Sequence, residues 1–320
     1  QGMTVLMDSF HGSAGPEVFR ALESLGVRVT AVNLVPDGRF PSGSPNPTSH
    51  GKMDPVLRLA AELRPGAVIG IDGDGDRIVF GDHRGILNAG FSALPMLEAD
   101  PVLKTLGAGK PALYDPKVNP IALREWKKAG AEPVLFRNGH SQIKEYMERI
   151  GAPFAAEESG HYYHRLEHKG ITMSAENTLV TVLLFLKSIK EDPLLMDRLR
   201  TMQDSVYTSG EINYQFENDG ARDGALAWVT EYLSKNDAVL TAANRDGIDL
   251  QGIQVNKGAV CGPGEIKLDK NWYSGYIRTA TNEKGVLRLF FSAEDRTTGV
   301  DLLTTIEEEL KETWKGKQVE

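Results

Sequence analysis

Strand-like and helix-like segments alternate over the first two-thirds of this chain, and this alternation limits the possible folds more than any other feature. Short apolar runs predict strands at residues 4–7, 27–32, 67–71, 112–114, 133–136 and 153–156. Segments with helical spacing occupy residues 16–25, 55–63, 91–106, 122–129, 141–150 and 175–190. This order is typical of parallel sheets covered by helices.

The pattern changes after about residue 202, where aromatic residues stand among more polar ones. Shorter strand candidates follow at residues 265–268, 272–279 and 286–292, with helices at residues 222–235 and 300–314. We therefore predict an α/β protein that has two tandem α/β domains with mixed sheets, followed by a smaller α+β C-terminal domain. The predicted domains are residues 3–90, 91–203 and 204–320.

The composition is that of an ordinary globular protein, with 41% hydrophobic and 25% charged residues among 320. The net charge of -8 argues against nucleic acid or an anionic membrane as the main partner. The apolar runs are too short to span a bilayer, and we expect no signal peptide. The single cysteine, Cys261, excludes an internal disulfide, and we predict a cytoplasmic location.

Two apolar, strand-like runs flank the segment Asp72-Gly73-Asp74-Gly75-Asp76-Arg77. Three carboxylates at alternate positions can turn their oxygens toward one cation, and Mg²⁺ prefers such ligands. The arginine that follows is a planar donor suited to phosphate. We therefore predict that the three aspartates, Asp72, Asp74 and Asp76, bind Mg²⁺.

Two structures other than a Mg²⁺ site share parts of this pattern. An EF-hand loop has Gly at its sixth position and Glu at its twelfth, whereas this segment has Arg77 and His83 there. That reading is excluded. A solvated acidic hairpin turn remains the alternative, because Asp and Gly are common turn residues.

Two polar segments that follow predicted strands are candidates for ligand binding. In Glu157-Glu158-Ser159-Gly160-His161, carboxylate, hydroxyl and imidazole groups can bond to vicinal sugar hydroxyls. A polar loop that caps the next element explains the same pattern. The segment Arg137-Asn138-Gly139-His140-Ser141 precedes a helix whose N-terminal N–H groups can bind an anion, although a lone histidine there is more often structural.

The segment Asp115-Pro116-Lys117 also follows a predicted strand directly. Ligands of open α/β sheets gather where the strands end at their carboxyl edge. Lys117, His140, Glu157 and Asp72 all occupy such positions, and this agreement strengthens each of them as a site residue.

A last candidate lies between two strands, at residues 278–285. Hydroxyl, amide and backbone N–H groups flanked by Arg278 and Lys284 can cradle a phosphate. A hydrophilic hairpin loop is the simpler reading of this segment taken alone.

In this order the motifs resemble those of the α-D-phosphohexomutase family, which contains phosphoglucomutase and phosphomannomutase. The resemblance extends from about Val5 to Ala293 and includes residues 8–12 and 45–47. The family's magnesium loop is similar to residues 72–77, and its sugar-recognition loop is similar to residues 157–161.

The resemblance implies an enzyme that interconverts hexose 1-phosphate and 6-phosphate through a phosphoserine and a bisphosphate intermediate. It implies Mg²⁺, a glucose 1,6-bisphosphate-type activator, and hexose phosphates as partners. The residues expected to be catalytic are Arg77, Lys117, His140 and His161. Lys117 and His161 could each be a general acid or base. The expected substrate-binding residues are Glu157, Ser159, Arg278, Thr279, Thr281 and Asn282.

Two departures from the family pattern affect these expectations. The closest match to the family's phosphoserine loop is at residues 47–51, within the second-domain region, where Ser49 is predicted to be a turn residue. We therefore expect domains two to four without the N-terminal phosphoserine domain, and no activity from the chain alone. The phosphate loop also differs, because Ala280 and Asn282 stand where the family usually has Ser and Thr.

Two other functions remain open at this point. A non-catalytic sugar-phosphate binding protein, or a partner subunit, is consistent with the altered phosphate loop. A metal-dependent phosphatase would use the aspartate cluster directly, but the three metal ligands leave no obvious nucleophile.

Overall fold

The structure is a computed structural model that describes residues 2–99, 109–262, 264–280 and 283–319. The chain divides into two compact units. The first comprises Gln1–Leu113, Lys128–Glu132 and His140–Gln203, and the second comprises Tyr114–Lys127, Pro133–Gly139 and Asp204–Glu320. The three predicted domain ranges stay predictions.

The first sheet has the strand order β2-β1-β3-β4-β5. Strand β1 pairs in parallel with β2 and β3, whereas β4 runs antiparallel to β3 and to β5. The sheet is therefore mixed, as predicted. Its strands are β1 Thr4–Asp8, β2 Arg28–Val32, β3 Ala67–Ile71, β4 Ile78–Asp82 and β5 Gly85–Leu87, and its helices are α1 Gly15–Ser24 and α2 Asp54–Leu63.

Helix α2 packs on this sheet because its apolar residues recur at helical spacing. Val56 and Ala60 lie in one buried cluster with Leu6 of β1 and Val68 of β3. Every residue of β3 and of β4 is buried. The core beneath the loop that joins these two strands is therefore closely packed, and it gives the loop fixed ends.

A second sheet has the order β10-β9-β8-β6-β7. Its strands are β6 Lys110–Tyr114, β7 Ala131–Leu135, β8 Phe154–Ala156, β9 Tyr162–His168 and β10 Ile171–Glu176. The helices of this region are α3 Ala89–Ala99, α4 Pro120–Lys128, α5 His140–Ile150, α6 Thr178–Glu191 and α7 Leu195–Asp204.

The third sheet has the order β12-β13-β14-β15-β11-β16, and all of its described pairs are antiparallel. Helices α8 and α9 contribute Val229 and Ile306 to a core that also contains Leu289 of the sheet. This arrangement matches the predicted α+β character. The strands are β11 Tyr207–Gln215, β12 Val239–Ala243, β13 Asp249–Gly262, β14 Glu265–Thr279, β15 Val286–Ala293 and β16 Lys317–Val319, and the helices are α8 Asp219–Lys235 and α9 Arg296–Glu312.

Some element predictions were wrong. The helix predicted at residues 175–190 begins only at Thr178, because Ala175 and Glu176 pair with β9 as part of β10. The strands predicted at 265–268 and 272–279 form one continuous strand, β14. Of the helix predicted at 91–106, the part from residue 100 onward lies outside the described residues.

In the parts of the chain that the structure describes, we find no helix with the length and apolar character needed to cross a membrane.

Candidate functional site

The three predicted metal ligands lie on the loop that joins β3 to β4 in the first unit. Asp72, Asp74 and Asp76 each place a carboxylate oxygen within 4.8 Å of the others. The loop is held from inside, because Oδ1 of Asp72 accepts hydrogen bonds from the backbone N–H groups of Gly75 (2.9 Å) and Arg77 (3.1 Å). Gly75 has a φ of +85°, which favours glycine.

The electrostatics of this loop fit a cation. Burial raises the pKa of Asp72 to about 6; the backbone N–H of Arg77 opposes this shift, whereas the Asp76 and Asp74 carboxylates add to it. Oδ1 of Asp76 is buried and has no hydrogen-bond partner. A buried acceptor without a donor costs free energy, and a hard cation would satisfy it. The three carboxylates could therefore hold a metal ion.

The loop between β1 and α1 contacts the metal loop (residues 72–77) and supports it. The backbone N–H of Ser13 donates to the carbonyl of Gly73 at 2.9 Å. A Cβ on Gly12 would lie only 2.5 Å from the carbonyl oxygen of Asp72. Because no side chain fits in that space, glycine is required at position 12. Phe10 and His11, just before it, have φ angles of 47° and 61°.

The predicted sugar-binding residues follow β8 and form a connected group. Oγ of Ser159 lies 3.1 Å from Oε2 of Glu157 and 2.9 Å from Nδ1 of His161. Nδ1 of His161 is also 3.2 Å from the Glu157 carboxylate. Glu157 is 4% exposed, so its charge is largely removed from water. The arrangement presents a carboxylate and a hydroxyl, both suited to sugar hydroxyl groups.

The two loops meet within the first unit. Arg77 and His161 form an isolated antiparallel bridge, and the backbone N–H of Ile78 donates to the carbonyl of Gly160 at 2.8 Å. Nε2 of His161 lies 3.4 Å from both Nε of Arg77 and Oδ1 of Asp76. The structure therefore brings the predicted metal site and the predicted sugar site together.

Opposing effects act on the pKa of His161, which lies between these two sites. Burial lowers the pKa of its imidazole, but the hydrogen bond and charge of Glu157, with the charge of Asp76, outweigh burial and raise the pKa above its ordinary value. With Nε2 accepting from Nε of Arg77 at 3.4 Å, the ring can donate from Nδ1 to the Glu157 carboxylate, 3.2 Å away.

Glu158, which the sequence does not mark as a site residue, anchors the sugar loop (residues 157–161). Its two carboxylate oxygens accept from the backbone N–H groups of Ala89 (3.1 Å) and Gly90 (3.2 Å), at the start of α3. A carboxylate is favourable at a helix N-terminus, because the N–H groups there lack partners within the helix.

In the second unit, Lys117 and Arg278 lie around one acidic residue. Nζ of Lys117, whose side chain is 11% exposed, is 3.5 Å from the carboxylate of Glu211, and Nη1 of Arg288 is 3.1 Å from it. Burial favours the protonated form of Glu211, but the charges of Lys117, Arg278 and Arg288 outweigh burial and lower its pKa. Arg278 and Arg288 are also direct cross-strand neighbours on β14 and β15.

Among the described residues, His140 and Thr279 lie outside these two groups. His140 is exposed at the start of α5, where Nδ1 lies 3.4 Å from Oγ of Ser141. Thr279 is half-buried at the end of β14. Thr281 and Asn282 lie outside the described residues. Their roles stay predictions.

These features define a mixed α/β protein in which a carboxylate loop that could hold a metal ion adjoins a second polar loop. Two family descriptions match the chain: "Phosphoglucomutase/phosphomannomutase, alpha/beta/alpha domain II" at residues 1–85, and the corresponding domain III at residues 95–204. The chain belongs to the α-D-phosphohexomutase family.

Curated relatives agree with this assignment. The chain is 32% identical over 256 residues to a phosphomannomutase of Escherichia coli strain K12, covering 78% of this chain and 53% of the relative. It is 28% identical over 299 residues to a phosphomannomutase/phosphoglucomutase of Pseudomonas syringae pv. tomato, covering 91% and 57%. The chain thus spans about half the length of the curated relatives it matches.

A solved structure supports the fold. A phosphoglucomutase/phosphomannomutase family protein of Burkholderia thailandensis superposes with a TM-score of 0.71 at 22% identity, covering 98% of this chain and 61% of that one. At this level of identity the likeness concerns the fold alone.

Proposed function

We propose that this chain provides the Mg²⁺-binding and hexose-phosphate-binding residues of a phosphohexomutase that interconverts hexose 1-phosphate and 6-phosphate. The observation that carries the proposal is the contact between the two loops, in which His161 lies 3.4 Å from Asp76. A reaction that moves a phosphoryl group on a sugar needs a metal site and a sugar site side by side. Family membership supports the same reaction.

Each predicted site residue of the first unit then has a defined role. Glu157 and Ser159 bind and orient sugar hydroxyls, because a carboxylate accepts from two neighbouring hydroxyl groups. Arg77 binds phosphate oxygens through its planar guanidinium. His161, 3.4 Å from Asp76, is a candidate general acid or base. Mg²⁺, held by Asp72, Asp74 and Asp76, would offset the negative charge of the transferring phosphoryl group.

In the second unit, we assign Arg278 to phosphate binding and Lys117 to the catalytic group. Lys117 and His161 of the first unit are the two candidates for the general acid or base. We assign the remaining phosphate contacts to Thr279 and to Thr281 and Asn282. His140 is assigned to the catalytic group on the family resemblance alone.

The phosphoryl carrier belongs to the finer part of the proposal. We infer a phosphoserine and a bisphosphate intermediate, with the serine outside residues 1–320. Ser49, the nearest match to the family's serine loop, lies in a turn where its backbone N–H donates to the carbonyl of Asn46 at 3.3 Å. A fold neighbour, the N-acetylphosphoglucosamine mutase of Aspergillus fumigatus, has been solved with glucose 1,6-bisphosphate and, separately, with GlcNAc-6P and magnesium.

The test combines turnover and binding on one preparation of the chain. A mutase assay contains Mg²⁺, glucose 1,6-bisphosphate as primer, and either glucose 1-phosphate or mannose 1-phosphate. Isothermal titration calorimetry measures binding of the same two sugar phosphates. We expect binding without turnover, because the groups in this chain position and stabilise but do not carry the phosphoryl group.

Glu157→Gln provides the decisive variant. Loss of a charged acceptor for sugar hydroxyls should weaken binding by about 10- to 100-fold. Glu167→Gln, on the exposed end of β9, is the matched control and should bind as the unsubstituted chain does. Failure to bind either hexose phosphate would overturn the proposal. Clear turnover would instead place the phosphoryl carrier within these residues, with Ser49 as the first candidate.

A further inference from the structure

A hydroxyl from a distant helix reaches the middle of the metal loop. Oγ1 of Thr178, the first residue of α6, donates a hydrogen bond to the backbone carbonyl of Gly75. Both residues belong to the first unit. The sequence marks Thr178 only as a residue inside the helix predicted at 175–190.

Helix α6 does not need this hydroxyl for its own N-terminus. The residue before it, Asn177, has the extended backbone of a cap, and its Oδ1 accepts from the backbone N–H of Val180 at 3.0 Å. Capping is thus supplied by Asn177. The Thr178 hydroxyl is directed to the metal loop instead.

Gly75 is held on three sides. Its N–H donates to Oδ1 of Asp72 at 2.9 Å, and its carbonyl accepts from Thr178. On the third side, a Cβ added to Gly75 would lie 2.4 Å from Cβ of Ala14. Because a peptide unit is planar, fixing the Gly75 carbonyl also fixes the N–H of Asp76 and the direction in which that residue leaves the loop.

We propose that Thr178 is a positioning residue, which holds the Gly75 carbonyl and thereby keeps the carboxylates of Asp72, Asp74 and Asp76 together for Mg²⁺. The inference rests on the proposed metal site. Without the hydroxyl, the glycine peptide regains its conformational freedom, and binding Mg²⁺ must order it again. The affinity for the ion falls for that reason.

The experiment measures the Mg²⁺ dissociation constant of the whole chain by calorimetry, with Mn²⁺ electron paramagnetic resonance as a second readout. Thr178→Val replaces the hydroxyl by a methyl group of similar size. It should weaken binding about 3- to 10-fold, the change expected for one lost hydrogen bond. Thr178→Ser restores the hydroxyl and should bind within about twofold of the unsubstituted chain. Thr178→Ala replaces the valine variant if that protein does not fold.

Thr181→Val is the matched control on the same helix. The Thr181 hydroxyl is buried, donates to the carbonyl of Asn177 at 2.9 Å and lies 2.9 Å from Nε2 of His164. Its removal should lower the melting temperature while leaving the Mg²⁺ dissociation constant unchanged. A purely structural role for Thr178 would give the same result in Thr178→Val.

Each outcome is decisive. Weaker Mg²⁺ binding in Thr178→Val, with the serine and Thr181 variants unchanged, supports the proposal. Equal binding by Thr178→Val, equal weakening in Thr181→Val, or a serine variant as weak as the valine one would overturn it while leaving the metal site intact. If the unsubstituted chain binds neither ion, the metal site and this inference fail together.

Discussion

Nε2 of His161 lies 3.4 Å from Oδ1 of Asp76, so an imidazole of the sugar loop reaches a carboxylate of the metal loop. The same ring is 3.2 Å from Glu157 through Nδ1. One side chain therefore connects the two loops electrostatically. A change of charge in the metal loop will therefore alter the electrostatic energy of Glu157 in the sugar loop through His161. The distances are short enough for charges in a partly buried site to interact strongly.

Removing one metal ligand tests the site with little effect on the fold. Asp74 is exposed, so Asp74→Asn should change the melting temperature of the metal-free chain by only about 2 °C or less. It should weaken Mg²⁺ binding by about tenfold or more, because one of three charged ligands is lost. Calorimetry measures this, with Asp301→Asn, on the exposed surface of α9, as the control. Unchanged Mg²⁺ affinity would contradict the assignment.

Gly12→Ala tests the support beneath the metal loop. The new Cβ would lie 2.5 Å from the carbonyl oxygen of Asp72 and 2.8 Å from that of Gly73, and both are backbone atoms that cannot turn away. We expect a loss of about 1–3 kcal/mol in unfolding free energy and weaker Mg²⁺ binding. Gly38→Ala is the control, since its Cβ would meet nothing within 4 Å. Equal urea midpoints for the two variants would disprove the expected clash.

The loops were predictable from the sequence because they depend on local chemistry. Alternating Asp and Gly between two apolar runs predicted a loop between strands, and residues 72–77 do join β3 to β4. The contact of His161 with Asp76 was not predictable, because the sequence does not say how far apart two loops lie in space. Thr178 was missed for the same reason.

The errors in the elements also have physical causes. Strand β10 was missed because its first residues are exposed at a sheet edge and show no buried alternation. The helix predicted from residue 175 begins at Thr178 because Asn177 caps it, a signal that the apolar run obscured. In β14, a change from exposed to buried residues divided one long strand into two predicted ones.

Glu158→Gln tests the anchor of the sugar loop. The amide keeps one acceptor oxygen, but its NH₂ group faces a backbone N–H of Ala89 or Gly90, which then lacks a partner. We expect a loss of about 1–2 kcal/mol in unfolding free energy and a several-fold loss in glucose 1-phosphate affinity. Urea denaturation and calorimetry measure the two effects. Glu167→Gln serves again as control, and an equal effect of both variants would argue against the anchor.

Acid should remove the stabilisation that Asp82 provides. Burial favours its protonated form, but hydrogen bonds from Arg84 and the charge of Arg200 outweigh burial and lower its pKa below 3.8. The unfolded chain then binds the proton more readily, so this stabilisation is complete above pH 3.8 and disappears as pH falls through the lower folded-state pKa.

Asp82→Asn should cost about 3 kcal/mol at pH 7, because it leaves the buried guanidinium of Arg200 without its charged partner. Urea denaturation between pH 7 and pH 3 should show the gap to the unsubstituted chain closing at the acid end, whereas Asp269→Asn, in an exposed ion pair, should have little effect at any pH. A gap that stays constant down to pH 3 would show that the Asp82 charge is not the cause.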